Sequence, residues 1–507
     1  MGDFQFKDRR FYAVSYDDDR ATVQPGSCIP NDYADRARST TSPTNPTTAL
    51  VPGHTALPMV ISALLLLSVG VFSWQFTTGD SALVQEQLAA PIVTTIDPDS
   101  NELIELQYGV HVALEQSDIF NEMRESFITE RQTFLTIDLE QMHLQYYQGG
   151  WLIDEAPIVQ AGSPETWWRT PAGLYQISRK VERHFSTVSQ TYQPWSLRFQ
   201  GNLAIHAWPE LADGTLVEDE SIKGSVVLGT EDAQRLFDLV AINTPVLVHA
   251  QSPEVETFVY QSRVANLSSV PHYAIADIHT GTVLASSDLD SPAPIASITK
   301  LMTALVAIEH IDLDTRIRIS EHSLIESVIP RLAGRHQVSL YSLLQLLLLE
   351  SSNEAAEAIA AQMGRATFVS LMNEKAQQLG MRNTVFTDPS GLDNGNVATL
   401  GDLLRLTTYI HRYHNVIFQL SADQYIPTAH TAHEFGELTN YNIVNGLSDF
   451  IGGKTGETTV AGQTSITLHQ LSIKSSSRTL AIVLLGSSNR TEEVTKLLQY
   501  VRDRFDH

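Results

Sequence analysis

The chain has 507 residues, enough for about two to four domains. Its 43% hydrophobic and 18% charged content is that of globular protein and excludes disorder throughout. A formal net charge of -25 excludes nucleic acid as a partner, because a phosphate backbone needs a basic footprint, and a single cysteine, Cys28, excludes an intrachain disulfide or a cysteine metal cluster.

Residues 1–55 carry Asp17-Asp18-Asp19 and a Ser/Thr/Pro/Asn-rich run over 39–48 with little apolar periodicity, which predicts a disordered tail. Residues 56–76 then run without a charge. About 20 apolar residues at roughly 1.5 Å rise each span a hydrocarbon core, so the expectation is an uncleaved transmembrane helix. The rival reading, a cleaved signal peptide, calls for a shorter apolar region close to the N-terminus. Lys7, Arg9, Arg10, Arg20, Arg36 and Arg38 precede the segment, and the first cation after it is Arg124. The positive-inside rule therefore puts the tail and Cys28 in the cytoplasm and all that follows outside, on a single-pass protein of the cell membrane. Residues 77–130 combine Asp97-Pro98-Asp99 with an amphipathic helix over 117–131, and read as a stalk or small packing element.

From 131 to 250 the pattern changes to short strands. Phe134 to Leu139 alternates and Met142 to Gly150 turns back as a hairpin does; further strand-like runs lie at 170–177, 203–206, 225–228 and 245–248, with one helix over 231–240. A mostly-β domain is predicted. Thr170-Pro171-Ala172-Gly173, the strand ending in Ile205-His206, and Gly224 to Leu228 followed by a helix and Thr244-Pro245-Val246 stand in the order of the L,D-transpeptidase catalytic domain, which this segment resembles. Where that family has a His-Gly-Cys triplet followed by Arg or Asn, this chain has Lys223-Gly224-Ser225-Val226. A thiolate is reactive because cysteine's pKa, near 8.5, can be lowered, whereas a serine in its place needs a dedicated base. The domain is therefore expected to be inactive and to bind wall peptide or act as a spacer; the alternative is an altered nucleophile, Ser225 with His206 or Lys223.

Residues 251–507 carry three motifs. Ser297 and Lys300 are three apart at the start of an apolar, helix-periodic run and so share a helix face. A serine hydroxyl is a weak nucleophile until a base takes its proton, and lysine serves only if desolvation or nearby cations depress its pKa. Alone the pair is weak evidence, since Ser-x-x-Lys arises by chance in many helices. Ser351-x-Asn353 follows the Leu346 to Leu349 run, which is far too short for a membrane span, and Lys454-Thr455-Gly456-Glu457 precedes a strand-like alternation at 461–467. The ordered set Ser-x-x-Lys, Ser-x-Asn, Lys-Thr-Gly is far more specific than any member.

On these motifs, together with Ala274 to Leu284 and Phe386 to Leu392, roughly residues 267–507 resemble a D-alanyl-D-alanine carboxypeptidase of the low-molecular-mass penicillin-binding type. The resemblance implies an α/β (α+β) penicillin-binding and β-lactamase-like fold: an antiparallel sheet flanked by helices, with a helical subdomain across a cleft. It implies roles too. Ser297 forms an acyl-enzyme with the penultimate D-alanine, Lys300 is the base, Ser351 relays the proton to the leaving D-alanine, and Asn353 orients Lys300 and substrate. Lys454 and Thr455 hold the substrate carboxylate, Gly456 lets substrate lie against the strand, and the backbone N–H groups of Ser297 and Glu457 receive the oxyanion. Glu457 is a departure, since an acid beside a carboxylate-binding lysine is expected to weaken anionic substrates.

The expected activity is that of a membrane-anchored serine D-Ala-D-Ala carboxypeptidase acting on peptidoglycan stem peptides and acylated by β-lactams. The alternatives are a D,D-endopeptidase on crosslinks, or a wall-binding scaffold with both domains degenerate. A β-lactamase is disfavoured for want of a base for rapid deacylation. No cofactor is expected, and no metal: His411, His414, His430 and His433 match no zinc helix spacing. Oligomeric state stays open.

Overall fold

The computed structural model describes residues 93–96, 103–106, 108–162, 170–186, 189–201, 203–217, 225–250, 272–424, 434–442, 449–474 and 476–505. The expected tail with Cys28, the transmembrane segment 56–76, Lys223, His430 and His433 lie outside the described residues. Among the described residues no helix is long and apolar enough to cross a membrane.

The first domain is a mixed ten-stranded sheet. Its strands are β1 (Gly109–Val110), β2 (Phe134–Asp138), β3 (His143–Gln148), β4 (Trp151–Gln160), β5 (Gly173–Gln176), β6 (Arg179–Ser186), β7 (Thr191–Gln200), β8 (Leu203–Ala207), β9 (Val226–Leu228) and β10 (Pro245–His249), in the spatial order β1-β5-β10-β2-β3-β4-β9-β8-β7-β6. Alternation along the central strands supplies two cores. Leu135, Ile137, Val246 and Val248 point to one face and join Tyr175 and Leu197, while Phe134 and Leu247 point to the other. Helix α1 (Ser117–Thr129) covers that second face with Phe120, Met123 and Phe127. Residues 109–129, read from sequence as part of a stalk or packing element, thus supply a strand and a helix to this domain. Helix α2 (Thr230–Leu239) packs on the first face through Ala233 and Leu236.

The second domain is built on five antiparallel strands, β11 (His272–Asp277), β12 (Val283–Ser286), β13 (Phe450–Thr458), β14 (Gly462–Ile473) and β15 (Ser476–Ser487), in the order β12-β11-β15-β14-β13. Period two again divides the side chains. Tyr273, Ile275, Leu480, Ile482 and Leu484 meet the closing helix, while Ala274, Ala276, Ile466, Ala481 and Val483 meet the central helices. The central helices are α3 (Thr299–His310), α4 (Leu340–Leu349), α5 (Asn353–Met363), α6 (Arg365–Gln378), α7 (Leu400–Tyr413) and α8 (Val416–Ser421), and the closing helix is α9 (Arg490–Phe505). Helix α4 is buried on nearly every side, as a short all-apolar helix must be in water. The closing helix buries Val494, Leu497, Leu498, Val501 and Phe505, which recur at helical spacing.

The two domains meet where α3 ends. Arg198 of β7 donates to Asp312 at 2.5 Å and Arg179 to the other oxygen of Asp312 at 2.9 Å. His184 of β6 lies 3.1 Å from Asp314, and the backbone of Gly201 abuts the carbonyl of Ile308 so closely that a methyl there would stand 2.1 Å from it. On a second contact Glu115 accepts from Arg412 and Tyr413 of α7. Arg198 is almost fully buried and also donates to the Gly201 carbonyl, so removing the Asp312 carboxylate takes away the ion pair that offsets the burial of its charge. The Asp312→Ala protein is expected to lose about 3–5 kcal/mol of stability in denaturant titration; an unchanged midpoint would show that this contact does not hold the domains together.

Candidate active site

Ser297 sits in a single 3-10 turn, Ala296–Ile298, that runs into α3. Several contacts fix the turn. Thr464 of β14 donates to the carbonyl of Ile295 at 3.0 Å, and Thr299 donates to the carbonyl of Ala296 at 2.8 Å. Ala296 itself adopts a left-handed φ of 49°, a conformation costly for a residue with a Cβ and sustained here by the packing around it. Gly391, at φ +86°, lies against the same turn: a methyl on it would be 2.0 Å from the Ala296 carbonyl.

Lys300 is in the first turn of α3 and fully buried. Its Nζ is 2.9 Å from Ser297 Oγ, 2.8 Å from Asn353 Oδ1 and 2.5 Å from the carbonyl oxygen of Ser390. Burial pushes the ammonium pKa down to about 7, with the Asp388 carboxylate opposing the shift. In its neutral form the amine donates to Asn353 and Ser390 and turns its lone pair to the Ser297 hydroxyl.

The other side of the amine is prepared by two segments distant in sequence. Asn353 opens α5, its Nδ2 donates to the carbonyl of Glu326 at 2.7 Å, and its backbone N–H donates to Ser327 Oγ at 2.9 Å. That leaves Oδ1 facing Lys300. The loop 386–392 is held by Asp388, which accepts from Ser390, Gly391 and Asn396. Ser351 links α4 to α5 with a left-handed φ of 57°; it is half-buried, and its hydroxyl makes no hydrogen bond within the described residues.

Strand β13 forms the opposite wall and is an edge strand, with β14 on one side only. The backbone N–H groups of Gly453 and Thr455 point away from β14, to Ser421 Oγ at 2.8 Å and Asn442 Oδ1 at 3.0 Å. By alternation the N–H of Glu457 shares that outward direction. A methyl on Gly456 would be 2.6 Å from the backbone nitrogen of Ser297, so only glycine lets strand and nucleophile come this close. Lys454 is fully buried, donating to the carbonyl of Thr455 at 2.7 Å and, at 3.4 Å, to Asn442. Its pKa is held well below the ordinary lysine range by burial, with Lys300 and Arg490 adding repulsion, and no carboxylate of the described residues pairs with it. Arg490, at the start of α9, donates to the carbonyl of Gly456 at 2.8 Å and stands 3.5 Å from the Glu457 carboxylate.

The structure therefore brings Ser297, Lys300 and Asn353 together and sets the strand Lys454 to Glu457 against them at Gly456. Sequence reasoning missed Asn442, Arg490, Asp388 and the carbonyls of Ser390 and Glu326. Backbone carbonyls carry no residue signature, and an isolated asparagine or arginine has none until the fold places it.

In the first domain His206 is fully buried, with Nδ1 2.6 Å from the Ala207 carbonyl and Nε2 without a partner among the described residues, and burial lowers its pKa to about 4. The parallel register Ile205↔Val226, His206↔Val227 puts Ser225 and His206 on one sheet face. His411 stacks edge-on to His279 and His414 bonds Glu309, which makes both structural. Among the described residues His184, Asp312 and Asp314 have metal-compatible spacing, their ligand atoms lying within 4.8 Å of one another. Asp312 is already claimed by two arginines, so the cluster is an ion-pair knot.

Comparison with known proteins agrees with this division. The family profile for D-alanyl-D-alanine carboxypeptidase matches residues 261–489, and that for the L,D-transpeptidase catalytic domain matches 132–248. The chain is 35% identical over 240 residues to a D-alanyl-D-alanine endopeptidase of Pseudomonas aeruginosa, covering 45% of this chain and 76% of that protein. It is 32% identical over 202 residues to the D-alanyl-D-alanine carboxypeptidase DacB2 of Mycobacterium tuberculosis, covering 38% and 68%. An Escherichia coli D-alanyl-D-alanine endopeptidase is 36% identical over 173 residues, covering 32% of this chain and 56% of that protein. A crystal structure of a D-alanyl-D-alanine carboxypeptidase from M. tuberculosis is similar at 27% identity and a TM-score of 0.42, over 48% of this chain and 95% of that one.

Below its pKa Lys300 is protonated and cannot accept the serine proton. The rate of Ser297 acylation is expected to rise about tenfold per pH unit up to about 7 and to level above it, as measured by stopped-flow trapping across pH. A profile flat from pH 5 to 9 would remove Lys300 as the base. Gly456→Ala should slow acylation by about 100-fold while the protein stays folded by circular dichroism, because a displacement of about 1 Å at the nucleophile costs that much.

Proposed function

The chain belongs to the D-alanyl-D-alanine carboxypeptidase family, and from that membership we propose that it is a membrane-anchored serine D,D-peptidase acting on peptidoglycan stem peptides. The observation that carries this reading is the buried Lys300 amine at 2.9 Å from Ser297 Oγ, poised to be neutral near pH 7. Neutral Lys300 takes the hydroxyl proton as Ser297 Oγ attacks the carbonyl carbon of the penultimate D-alanine. The oxyanion forms between the N–H groups of Ser297 and Glu457, and the C–N bond breaks as the proton passes by way of Ser351 to the leaving amine. Water then hydrolyses the acyl-enzyme. Lys454 and Thr455 receive the carboxylate beside the leaving nitrogen, whose negative charge opposes the burial that holds the Lys454 pKa low and favours its ammonium form, with Arg490 adding positive potential.

We take removal of a terminal D-alanine as the activity, with cleavage of crosslinks as the second reading. The second is favoured by the names of the relatives at 35% and 36% identity, both endopeptidases. A leaving group with a carboxylate next to its nitrogen satisfies either. The L,D-transpeptidase-like domain, with Ser225 where its family has cysteine, serves as a non-catalytic module. Residues 56–76 anchor the protein, with residues 1–55 in the cytoplasm.

A fluorescent penicillin is expected to label the protein, with no label on Ser297→Ala and acylation slowed by about 100- to 10,000-fold in Lys300→Gln. Label persisting on Ser297→Ala, or a folded wild type that takes none, would sink the assignment in favour of a binding scaffold. Mass analysis of products from a pentapeptide and from a crosslinked dimer separates the two activities.

A further inference from the structure

We propose that Glu350 is a positioning residue for the peptidase reaction: paired with Arg331, it fixes how the Ser351 to Asn353 corner stands relative to the wall of Lys454 and Thr455. This rests on the peptidase reading above. Glu350 lies between Leu349, the last residue of α4, and Ser351, whose left-handed φ of 57° turns the chain into α5. Its side chain is withdrawn from water, with an exposure of 0%. A buried carboxylate demands donors, and this one receives them from two segments distant in sequence. Arg331 binds it as a fork, Nη2 to Oε1 at 2.6 Å and Nε to Oε2 at 3.0 Å, and the backbone N–H of Thr439 donates to Oε1 at 2.9 Å.

Each segment holds a different part of the site. The loop of Arg331 also supplies the Glu326 carbonyl and the Ser327 hydroxyl that hold Asn353, and Glu354, next to Asn353, accepts from the backbone N–H of Arg331 at 3.2 Å. Thr439 belongs to the segment 434–442, which Arg331 grips as well, through the carbonyls of Phe435 and Glu437 at 3.4 and 3.1 Å. The same segment carries Asn442, whose Oδ1 accepts from the N–H of Thr455 and from Lys454, and Tyr441, whose carbonyl accepts from the Thr455 hydroxyl at 3.1 Å. Tyr441 and Asn442 in turn donate to the carbonyls of Leu349 and Leu348, so a shift of the Glu350 end of α4 passes to the wall. The ion pair is thus the crossing point of two chains of bonds. One ends at the asparagine that faces the Lys300 amine, the other at the groups that receive the substrate carboxylate, and attack needs both in register to within about 1 Å.

The test reads the first-order acylation constant of the full chain at saturating fluorescent penicillin by stopped flow. Glu350→Gln keeps the side chain's shape and an acceptor for Thr439 but removes the charge that holds the guanidinium, and Arg331→Met removes the fork from a side chain 25% exposed. Each is expected to acylate about 100-fold more slowly, with the dissociation constant for penicillin within about threefold of wild type. The double variant should be no slower than the slower single one, because both changes break one link. A role in stability alone leaves a different mark: the labelled fraction falls with the folded fraction, while folded molecules react at the wild-type rate. Glu357→Gln, which breaks the comparable fork between Arg365 and α5, is the control and is expected to acylate at the wild-type rate. If the folded fraction of Glu350→Gln, or of Arg331→Met where the former does not fold, acylates at the wild-type rate, the inference is overturned while the peptidase reading stands. If wild type takes no penicillin label, the peptidase reading fails and the inference with it.

Discussion

A lysine amine withdrawn from water is the constraint from which this site follows. A charged ammonium is too costly to bury without acceptors, and Lys300 meets that requirement with three, supplied by the adjacent turn, the start of α5 and the loop 386–392. Each supplier is fixed in turn: Asn353 by Glu326 and Ser327, Ser390 by Asp388. The same desolvation that makes the amine expensive brings its pKa near neutrality, so one arrangement both stabilises the group and activates it.

The opposite wall uses a different device. An edge strand offers unpaired backbone groups, a hazard on a free surface but a docking rail where a turn stands against it. Gly456 allows the close approach, and Lys454 and Arg490 give that end of the rail a positive potential that no carboxylate of the described residues cancels at Lys454. The helix bearing Lys300 is also held at its far end. Glu309 near its C-terminus bonds Lys375, His414 and Tyr409, and the residues just after it are gripped by Arg198, Arg179 and His184 of the neighbouring domain. A domain without its family's cysteine thus retains a physical role, as the abutment of that helix.

Much of the fold was legible because period two and period 3.6 are properties of consecutive residues. Val246, Leu247 and Val248 divide between two cores as their alternation requires, and the apolar positions of α9 all face the sheet. Residues 109–129 were harder to read, since two strand residues and an amphipathic helix do not announce which sheet they complete. The grip on Asp312 was invisible, because nothing marks an aspartate in a loop as the partner of an arginine 114 residues away.

The sequence by itself determined the order of the motifs, the residue types able to attack, to accept a proton and to hold a carboxylate, and the absence of the cysteine from the first domain. Only the tertiary structure decided that Lys300 is buried to the point of losing its charge near pH 7, that Asn442 and Arg490 belong to the same wall as Lys454, and that Glu457 and Lys454 face opposite ways. Residue identity is written locally, whereas desolvation and electrostatic potential are sums over everything the fold brings near.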